Sequence, residues 1–208
     1  PHQSTVARIY DPVANTVSTV AGFPGNYGYC GAVLLPDGRV MCIPHMAVKA
    51  AIYDPVAGTV SFGASIFPGS EGFVGGALLP DGRVFCSPHK AAAPRIYDSV
   101  TDTVTTPSGV WGTAGISNFI GCALLPDGRV FVMPYVSTMA RIYDPVTDIT
   151  VIPPGAYPGG GAFHGALTMS DGRVFCPPFG SAAAYIAATG YGFDIDPQLA
   201  TSPFYNRY

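Results

Sequence analysis

Leu79-Pro80-Asp81-Gly82-Arg83-Val84 is the stretch that decides the fold, because the chain repeats it at a nearly constant interval. The same six residues stand at Leu35–Val40 and Leu125–Val130, and an altered copy stands at Met169–Val174. The aspartates of the four copies lie 44, 46 and 44 residues apart. Self-similarity at a period of 40–50 residues is typical of repeat architectures, in which each repeat is one supersecondary unit.

Two further markers share this period. Ile-Tyr-Asp occurs four times, beginning at Ile9, Ile52, Ile96 and Ile142. Proline followed by histidine or an aromatic residue occurs five times, at Pro1-His2, Pro44-His45, Pro88-His89, Pro134-Tyr135 and Pro178-Phe179. Three independent markers with one period establish a tandem repeat.

Each repeat is predicted to form two β-hairpins. In the first hairpin Pro-Asp-Gly joins two apolar runs, and these residues favour a tight turn because proline presets φ and glycine accepts positive φ. In the second hairpin one turn position is occupied in turn by Asn15, Gly58, Asp102 and Asp148. These residue types best tolerate left-handed backbone geometry, so we interpret the position as a turn position with positive φ.

Four strands per repeat are typical of a β-propeller blade. The predicted fold is therefore all-β, a β-propeller of four blades with four antiparallel strands each, over residues 1–180. Residues 5–20 are expected to pair with the inner hairpin at 164–177 and so complete the last blade. In the alternative, Tyr185–Ile195 is the second hairpin of that blade, and the N-terminal strands belong to a fifth blade of a longer array. Residues 181–208 are predicted to be a C-terminal tail or docking arm.

The repeat resembles that of kelch-type propellers, including the propeller of the galactose oxidase family. The resemblance rests on Gly-Ala-Leu-Leu-Pro-Asp-Gly-Arg-Val-Phe followed by Arg-Ile-Tyr-Asp-Pro-Val-Thr-Asp. It departs where kelch repeats carry Gly-Gly and this chain has Pro-His, Pro-Tyr or Pro-Phe. The copper ligands of galactose oxidase do not map onto this chain, so its activity is not carried over. The tandem repeats and the ending Phe204-Tyr205-Asn206-Arg207-Tyr208 also resemble bacteriophage tail and structural proteins.

Composition excludes several classes of protein. Among 208 residues, 26 glycines and 21 prolines are incompatible with a mainly helical protein. The net charge of −3 with only 10 Lys+Arg argues against a nucleic-acid partner. No apolar run approaches the roughly 18 residues of a membrane span. Only 11% of residues are charged, and a surface this poor in charge suits burial in a larger assembly.

Most charged residues belong to the repeat, which favours a structural role for them. The aspartates are expected to bind turn amides, and the arginines to reach strand-end carbonyls or a carboxylate of the next blade; a ring of Asp–Arg pairs that binds an anion is the alternative. Cys42, Cys86 and Cys176 share one register, in which Val132 replaces the fourth cysteine. We interpret these thiols as small buried hydrophobes rather than as metal ligands.

Candidate binding residues fall into two sets. The first follows the recurrent proline and is expected to form a ring on one face, where it either packs the blade ends or stacks against a sugar or a partner: His45, His89, Tyr135 and Phe179. The second lies in the variable loops between blades and is expected to be exposed: Tyr27, Tyr29, Trp111, Asn118 and Tyr157.

No catalytic motif was found, and Glu71 is the only glutamate. The sequence therefore predicts no enzyme, no cofactor and no metal, but a structural or recognition propeller module. We expect a virion component, such as a phage tail or capsid-surface protein, that is multimeric in its assembly. The alternative is a carbohydrate-binding propeller lectin. The corresponding partners are other virion or assembly proteins, or surface glycans, and the location is the virion or the cell exterior.

Overall fold

The computed structural model describes residues 3–181 and 184–187. These residues form seventeen β-strands arranged in five antiparallel sheets. No helix that could cross a membrane occurs among these residues. The prediction of an all-β fold is therefore confirmed.

Three sheets are complete and have four strands each, in which neighbours along the chain are also neighbours in the sheet. The first contains β3 (Tyr29–Leu34), β4 (Val40–Pro44), β5 (Ala51–Asp54) and β6 (Thr59–Phe62). The second contains β7 (Phe73–Leu78), β8 (Val84–Pro88), β9 (Arg95–Asp98) and β10 (Thr103–Thr105). The third contains β11 (Phe119–Leu124), β12 (Val130–Pro134), β13 (Arg141–Asp144) and β14 (Ile149–Val151). We call the first two strands of each sheet the inner hairpin and the last two the outer hairpin.

The two terminal sheets are smaller. At the N-terminal end β1 (Val6–Asp11) and β2 (Thr16–Ala21) pair only with each other within the described residues. At the other end β15 (Leu167–Thr168), β16 (Val174–Cys176) and β17 (Tyr185–Ala187) form a three-stranded sheet. The motif Ile9-Tyr10-Asp11 lies in β1, so β1 and β2 correspond to an outer hairpin without its inner hairpin.

The predicted closure of the ring needs correction. Residues 5–20 do not complete the last sheet, because the edge of β16 that they would occupy is paired with β17, where Cys176 lies opposite Tyr185. Sheet pairing is local here: the chain turns back after Phe179 and adds its own next strand. The boundary predicted at residue 180 therefore cuts through this sheet, and the rest of the predicted tail, residues 188–208, lies outside the described residues.

The Asp-Gly-Arg turns have the structural role that their recurrence indicates. In each copy the aspartate accepts the amide of the arginine two residues on, as from Arg39 to Asp37 at 3.0 Å. The same aspartate also accepts Nε of that arginine, at 2.8 Å in this copy. The guanidinium therefore pairs with the carboxylate of its own turn.

The turn of the outer hairpin also forms hydrogen bonds between blades. Asn15, Asp102 and Asp148 have φ values of 52°, 53° and 55°, and Gly58 has 68°, which confirms the left-handed position. Asp102 also accepts the Tyr97 hydroxyl at 2.9 Å and the backbone amide of Ala64 at 2.6 Å. Because Ala64 lies in the connection between the first two complete sheets, this carboxylate fastens adjacent blades to each other. Sequence reasoning had assigned the position to the turn alone.

A row of glycines joins the inner strands of successive sheets. Gly31, Gly75 and Gly121 all have positive φ and lie where the innermost strand is irregular. A Cβ on Gly31 would come 3.1 Å from Cα of Gly75, and one on Gly121 would come 2.8 Å from Cα of Gly165. A side chain on Gly31, Gly75 or Gly121 would push neighbouring sheets apart. The four glycines follow the 44- and 46-residue spacing of the other markers.

The core lies between adjacent sheets, where apolar side chains of each sheet pack on the next. Cys86, Cys176 and Val132 are fully buried, as the register predicted, and all five cysteines carry free thiols. Burial raises the pKa of the Cys176 thiol to about 12, so this group stays neutral at physiological pH.

Candidate functional site

The two ends of the sheets differ in character. Both hairpin turns of each blade lie at one end, which we call the turn face. All longer connections lie at the other end, which we call the loop face. There the segments that follow β4, β8 and β12 contact the segments that lead into the next sheet, as in the backbone bonds from Gly72 to His45 (2.9 Å) and from Asn118 to His89 (3.1 Å).

The loop face brings three of the predicted site residues into a row. The ring centroids of His45 and His89 are 5.9 Å apart, and those of His89 and Tyr135 are 6.0 Å apart. Each ring comes from a different sheet, so the row crosses three successive blades. Phe179 follows the corresponding strand β16 of the last sheet and contacts the His164 ring, with 5.5 Å between centroids.

The two histidines are buried, which separates them from the exposed Phe179. Nδ1 of His45 lies 3.0 Å from the carbonyl oxygen of Phe73, and Nδ1 of His89 lies 3.3 Å from that of Glu71. Desolvation lowers the pKa of His89, so the neutral imidazole is favoured. These rings therefore serve mainly as packed and hydrogen-bonded parts of the face, and only their edges can meet a ligand.

Two residues with polar side chains beside this row have a left-handed backbone conformation. Tyr27 and Glu71 occupy the same position in successive repeats and have φ values of 57° and 60°. The residues before them, Asn26 and Ser70, are also left-handed, with φ values of 50° and 63°. Such conformations are strained for residues other than glycine and are often found at sites of binding or switching.

Glu71 and Lys90 form an ion pair on the loop face, with 2.6 Å between Oε2 and Nζ. The hydrogen bond from Lys90 is the main reason why the pKa of the Glu71 carboxyl is below its ordinary value. The pair is partly exposed and borders the two histidines, which also favour the carboxylate. The pair gives the loop face a hydrogen-bond donor, Lys90, next to a hydrogen-bond acceptor, Glu71.

The remaining exposed surface of the loop face is rich in large apolar side chains. They occupy the segments that follow the recurrent proline and are between 42% and 66% exposed: Met46, Val48, Val136, Met139 and Phe179. Large exposed apolar side chains on a face with few charges are characteristic of a surface that another molecule covers.

Three loop residues predicted to be exposed are buried, and that expectation is wrong for them. Tyr29, Trp111 and Tyr157 are only 3%, 3% and 4% exposed. Trp111 packs on the rings of Phe85 and Tyr143. Because each loop crosses the end of the groove between two sheets, its aromatic side chain fills that groove instead of facing solvent.

Tyr27 and Asn118 have different environments. Tyr27 is 43% exposed, as expected, and its hydroxyl accepts a hydrogen bond from the Gln3 side chain. The Asn118 side chain is directed into its own loop, where Nδ2 donates to the carbonyl oxygens of Thr113 and Ile116, both at 2.9 Å. Asn118 therefore shapes the loop, while the Tyr27 side chain stays partly exposed.

Nothing in the described residues groups three or more histidine, cysteine or carboxylate side chains in a way that could hold a metal ion. The buried cysteines lie apart in the core, and the Glu71 carboxylate is engaged with Lys90.

No family model matches this chain, and no curated protein matches it. Solved structures do. Virginiamycin B lyase from Staphylococcus aureus matches with a TM-score of 0.70 at 10% identity, over 89% of this chain and 63% of that one. The extracellular domain of a putative one component system from B. thetaiotaomicron matches with a TM-score of 0.65 at 10% identity, over 89% and 25%. An auxiliary nutrient binding protein from Bacteroides ovatus gives 0.61 at 12% identity, over 88% and 44%.

The chain has a propeller-like fold. At these identities the likeness concerns the fold alone, and the chain spans less than two thirds of the length of each of these structures. The all-β propeller prediction is confirmed at this level. The likeness to kelch repeats and to phage proteins finds no support among these structures.

The expectation that the chain is not an enzyme needs correction. Its fold is shared with virginiamycin B lyase, for which a H270A form is described as catalytically inactive. A propeller scaffold without a recognisable catalytic motif therefore does not exclude catalysis. The reason is that catalytic residues are often carried by loops and need not form a continuous motif in the sequence.

Sequence reasoning missed the polar and apolar residues that surround the histidine row. Glu71, Lys90 and Met139 were not among the candidates, although a signal was present. Each loop-face segment begins at the recurrent proline, and the residues after it differ from copy to copy, as Met46, Lys90 and Val136 do. Variation at a fixed position in a repeat indicates a surface with its own specificity.

Proposed function

We propose that this chain is part of a recognition propeller that binds a protein partner through the loop face, within a larger assembly. The observation that carries the proposal is the apolar loop face itself. This face carries five large apolar side chains between 42% and 66% exposed and the ion pair Glu71–Lys90. Protein interfaces have this composition, with an apolar centre and few charges.

The turn face also exposes apolar side chains, such as Val56 and Val146, but it differs from the loop face in how its charged residues are used. Its polar content is consumed internally, because the Asp-Gly-Arg pairs satisfy their own turns. The low content of charged residues, 11%, fits a chain that is covered in use. A virion or another extracellular particle is the assembly we propose, and the fold likeness to an extracellular domain is compatible with it.

A carbohydrate ligand is the second candidate. Tyr27 and Phe179 are exposed aromatic side chains on the loop face, and such rings stack on sugars. Glu71 and Lys90 could add hydrogen bonds to hydroxyl groups. This candidate predicts glycan binding by the isolated chain, and loss of that binding in Tyr27→Ala.

The test compares charge insertions on the two faces. Val136→Glu and Met139→Glu place a carboxylate on the loop face. Val56→Glu and Val146→Glu are the matched controls, since these valines are 97% and 91% exposed at the turn face. Each form is produced in the source of the protein, and its native mass and its fraction in the particle are measured.

We expect the unchanged chain to occur in a particle much larger than 21.6 kDa. The loop-face variants should lose about tenfold or more of their incorporation, because a buried unpaired carboxylate costs more than 1.4 kcal/mol. The controls should assemble normally. Equal incorporation of all four variants, or a monomeric unchanged chain, would contradict the proposal, and glycan binding would then be tested first.

A further inference from the structure

The N-terminal half-blade ends in an open surface that has no counterpart elsewhere in the described part of the chain. We call it the N-terminal notch and define it by Ile9 and Tyr10 on β1 and by Gly31, Ala32 and Leu34 on β3. One side of the notch is the edge of β1, which among residues 3–181 and 184–187 pairs with β2 only. The other side is the flank of the inner strand β3.

The edge of β1 is the position at which every complete sheet pairs its inner hairpin. The equivalent strands β5, β9 and β13 pair with β4, β8 and β12 on this edge. Where that pairing exists the apolar residues are covered: Ile52, Ile96 and Ile142 are 4%, 3% and 1% exposed. Ile9 is 37% exposed at the same position.

The tyrosines of the same motif follow the order of the sheets instead. Tyr97 and Tyr143 are each 2% exposed and pack on rings that precede their own sheets in the chain, Tyr53 is half-buried, and Tyr10 is 58% exposed. Ile9 therefore carries the argument for a missing inner hairpin, while Tyr10 lies on the side where no sheet precedes.

The flank of β3 gives a second, independent observation. Gly75 and Gly121 are approached by the inner strand of the preceding sheet, in the glycine row described above. Gly31 begins this row and is exposed on its other side. Leu34 is 51% exposed, while its equivalents Leu78 and Leu124 are partly buried against the core.

The connection to β1 has the length that an inner hairpin requires. Seven positions separate His45 from Ile52, His89 from Ile96 and Tyr135 from Ile142. The same seven positions separate His2 from Ile9 in the sequence. A hairpin joined ahead of residue 1 would therefore meet β1 in the register of the other blades.

We propose that the N-terminal notch is the acceptor for one further inner β-hairpin of this repeat, which adds to the edge of β1. Its chemistry follows from the three existing copies: an inner strand with a glycine at the irregular position, a Pro-Asp-Gly-Arg turn and a second strand of apolar residues that pairs with β1. Its glycine would extend the row past Gly31. The surface is continuous with the inner-strand interfaces already present, and it is separate from the loop-face function.

The experiment restores the hairpin and asks whether the notch accepts it. Residues 73–87, the second inner hairpin up to its proline, are duplicated directly ahead of Pro1. The matched control carries the same fifteen residues in scrambled order. Backbone hydrogen exchange of Arg8, Ile9 and Tyr10 is measured in the original, extended and scrambled chains, together with that of β7 and β8 as a check of folding.

We expect exchange in β1 to slow by about tenfold or more in the extended chain only, because strand pairing protects amides. Ile9→Ser should then lower the melting temperature of the extended chain more than that of the original chain, because the equivalent Ile52 and Ile96 are buried. Exchange in β1 that is equally fast in the extended and scrambled chains, with β7 and β8 still protected, would overturn the proposal. Protection of β1 that rises with protein concentration in the original chain would also overturn it, since it would show edge-to-edge pairing of two copies.

Discussion

His89 lies in the middle of the ring row, where burial lowers the pKa of its imidazole below the ordinary value near 6.5. The unfolded chain binds a proton at this group more readily than the folded protein does. The stability gained from keeping His89 neutral is therefore fully present above about pH 6.5, the pKa of this group in the unfolded chain. As the pH falls from there through the lowered folded pKa, the free energy of unfolding decreases. The packed row of rings therefore favours the neutral imidazole of His89.

We expect the melting temperature to fall between pH 7.5 and pH 5.5, and His89→Tyr to reduce this fall by about 2–4 °C. Tyrosine is the natural replacement, because Tyr135 occupies the same position in the next repeat. The measurement is thermal unfolding followed by circular dichroism at both pH values. His164→Tyr, at an exposed ring, is the control and should leave the pH dependence intact. The assignment would be wrong if the His89→Tyr protein kept the full dependence.

Residue type alone could place the histidine row but not its exposure. His45, His89 and Tyr135 share one register, and the period of the repeat was sufficient to bring them to one face. Trp111 and Tyr157 show the limit of this reasoning, because both lie in loops and both are buried. Whether a loop aromatic side chain faces solvent depends on the groove beneath it, which is formed by two sheets that are distant in sequence.

At the scale of the elements, the inner strands approach one another at their glycines. Gly121 combines a φ of +80° with a predicted 2.8 Å approach of any Cβ to Gly165. Gly38 has a similar φ of +87° in an Asp-Gly-Arg turn, and open space surrounds it. The two positions therefore share the conformational requirement and differ in the steric one.

We expect Gly38→Ala to lower the free energy of unfolding by about 1–2 kcal/mol, the cost of a left-handed conformation. Gly121→Ala should cost at least about 1–3 kcal/mol more, because the added methyl group overpacks two backbones. Urea denaturation of both variants gives the difference directly. Equal costs at the two positions would mean that the inner strands can separate without penalty.

At the scale of the whole molecule, the sheets form a row in which each packs on its neighbours along the chain. Such arrays behave approximately as a sum of units and their interfaces, so the end units are the least stable. The half-blade β1–β2 contributes little to the core, and its Ile9 and Tyr10 are exposed. Sheets β7–β10 and β11–β14 have neighbours on both sides.

We therefore expect native-state hydrogen exchange to show a gradient. Protection should be lowest in β1 and β2 and highest in β8 and β12, with a difference of at least about tenfold. Mass spectrometry of peptides from these strands measures it. Uniform protection across the five sheets would instead indicate a closed ring that unfolds as one cooperative unit.

The sequence by itself determined the repeat, its four strands and both turns, because hairpins and turns depend on residues close together in the chain. Pro-Asp-Gly, the left-handed positions of Asp102 and Asp148 and the buried register of Cys86 could all be predicted in this way. It also brought His45 and His89 to one face.

Only the tertiary structure decided how the terminal sheets pair and which side chains the two faces expose. The pairing of Cys176 with Tyr185 replaced the expected closure, and the burial of Trp111 replaced its expected exposure. Both outcomes depend on contacts between segments that are far apart in sequence or that compete for one strand edge. Local residue preferences do not decide which strand occupies a sheet edge or whether a loop side chain is buried, because each alternative satisfies the same periodic pattern. Only the packing of adjacent sheets distinguishes the alternatives.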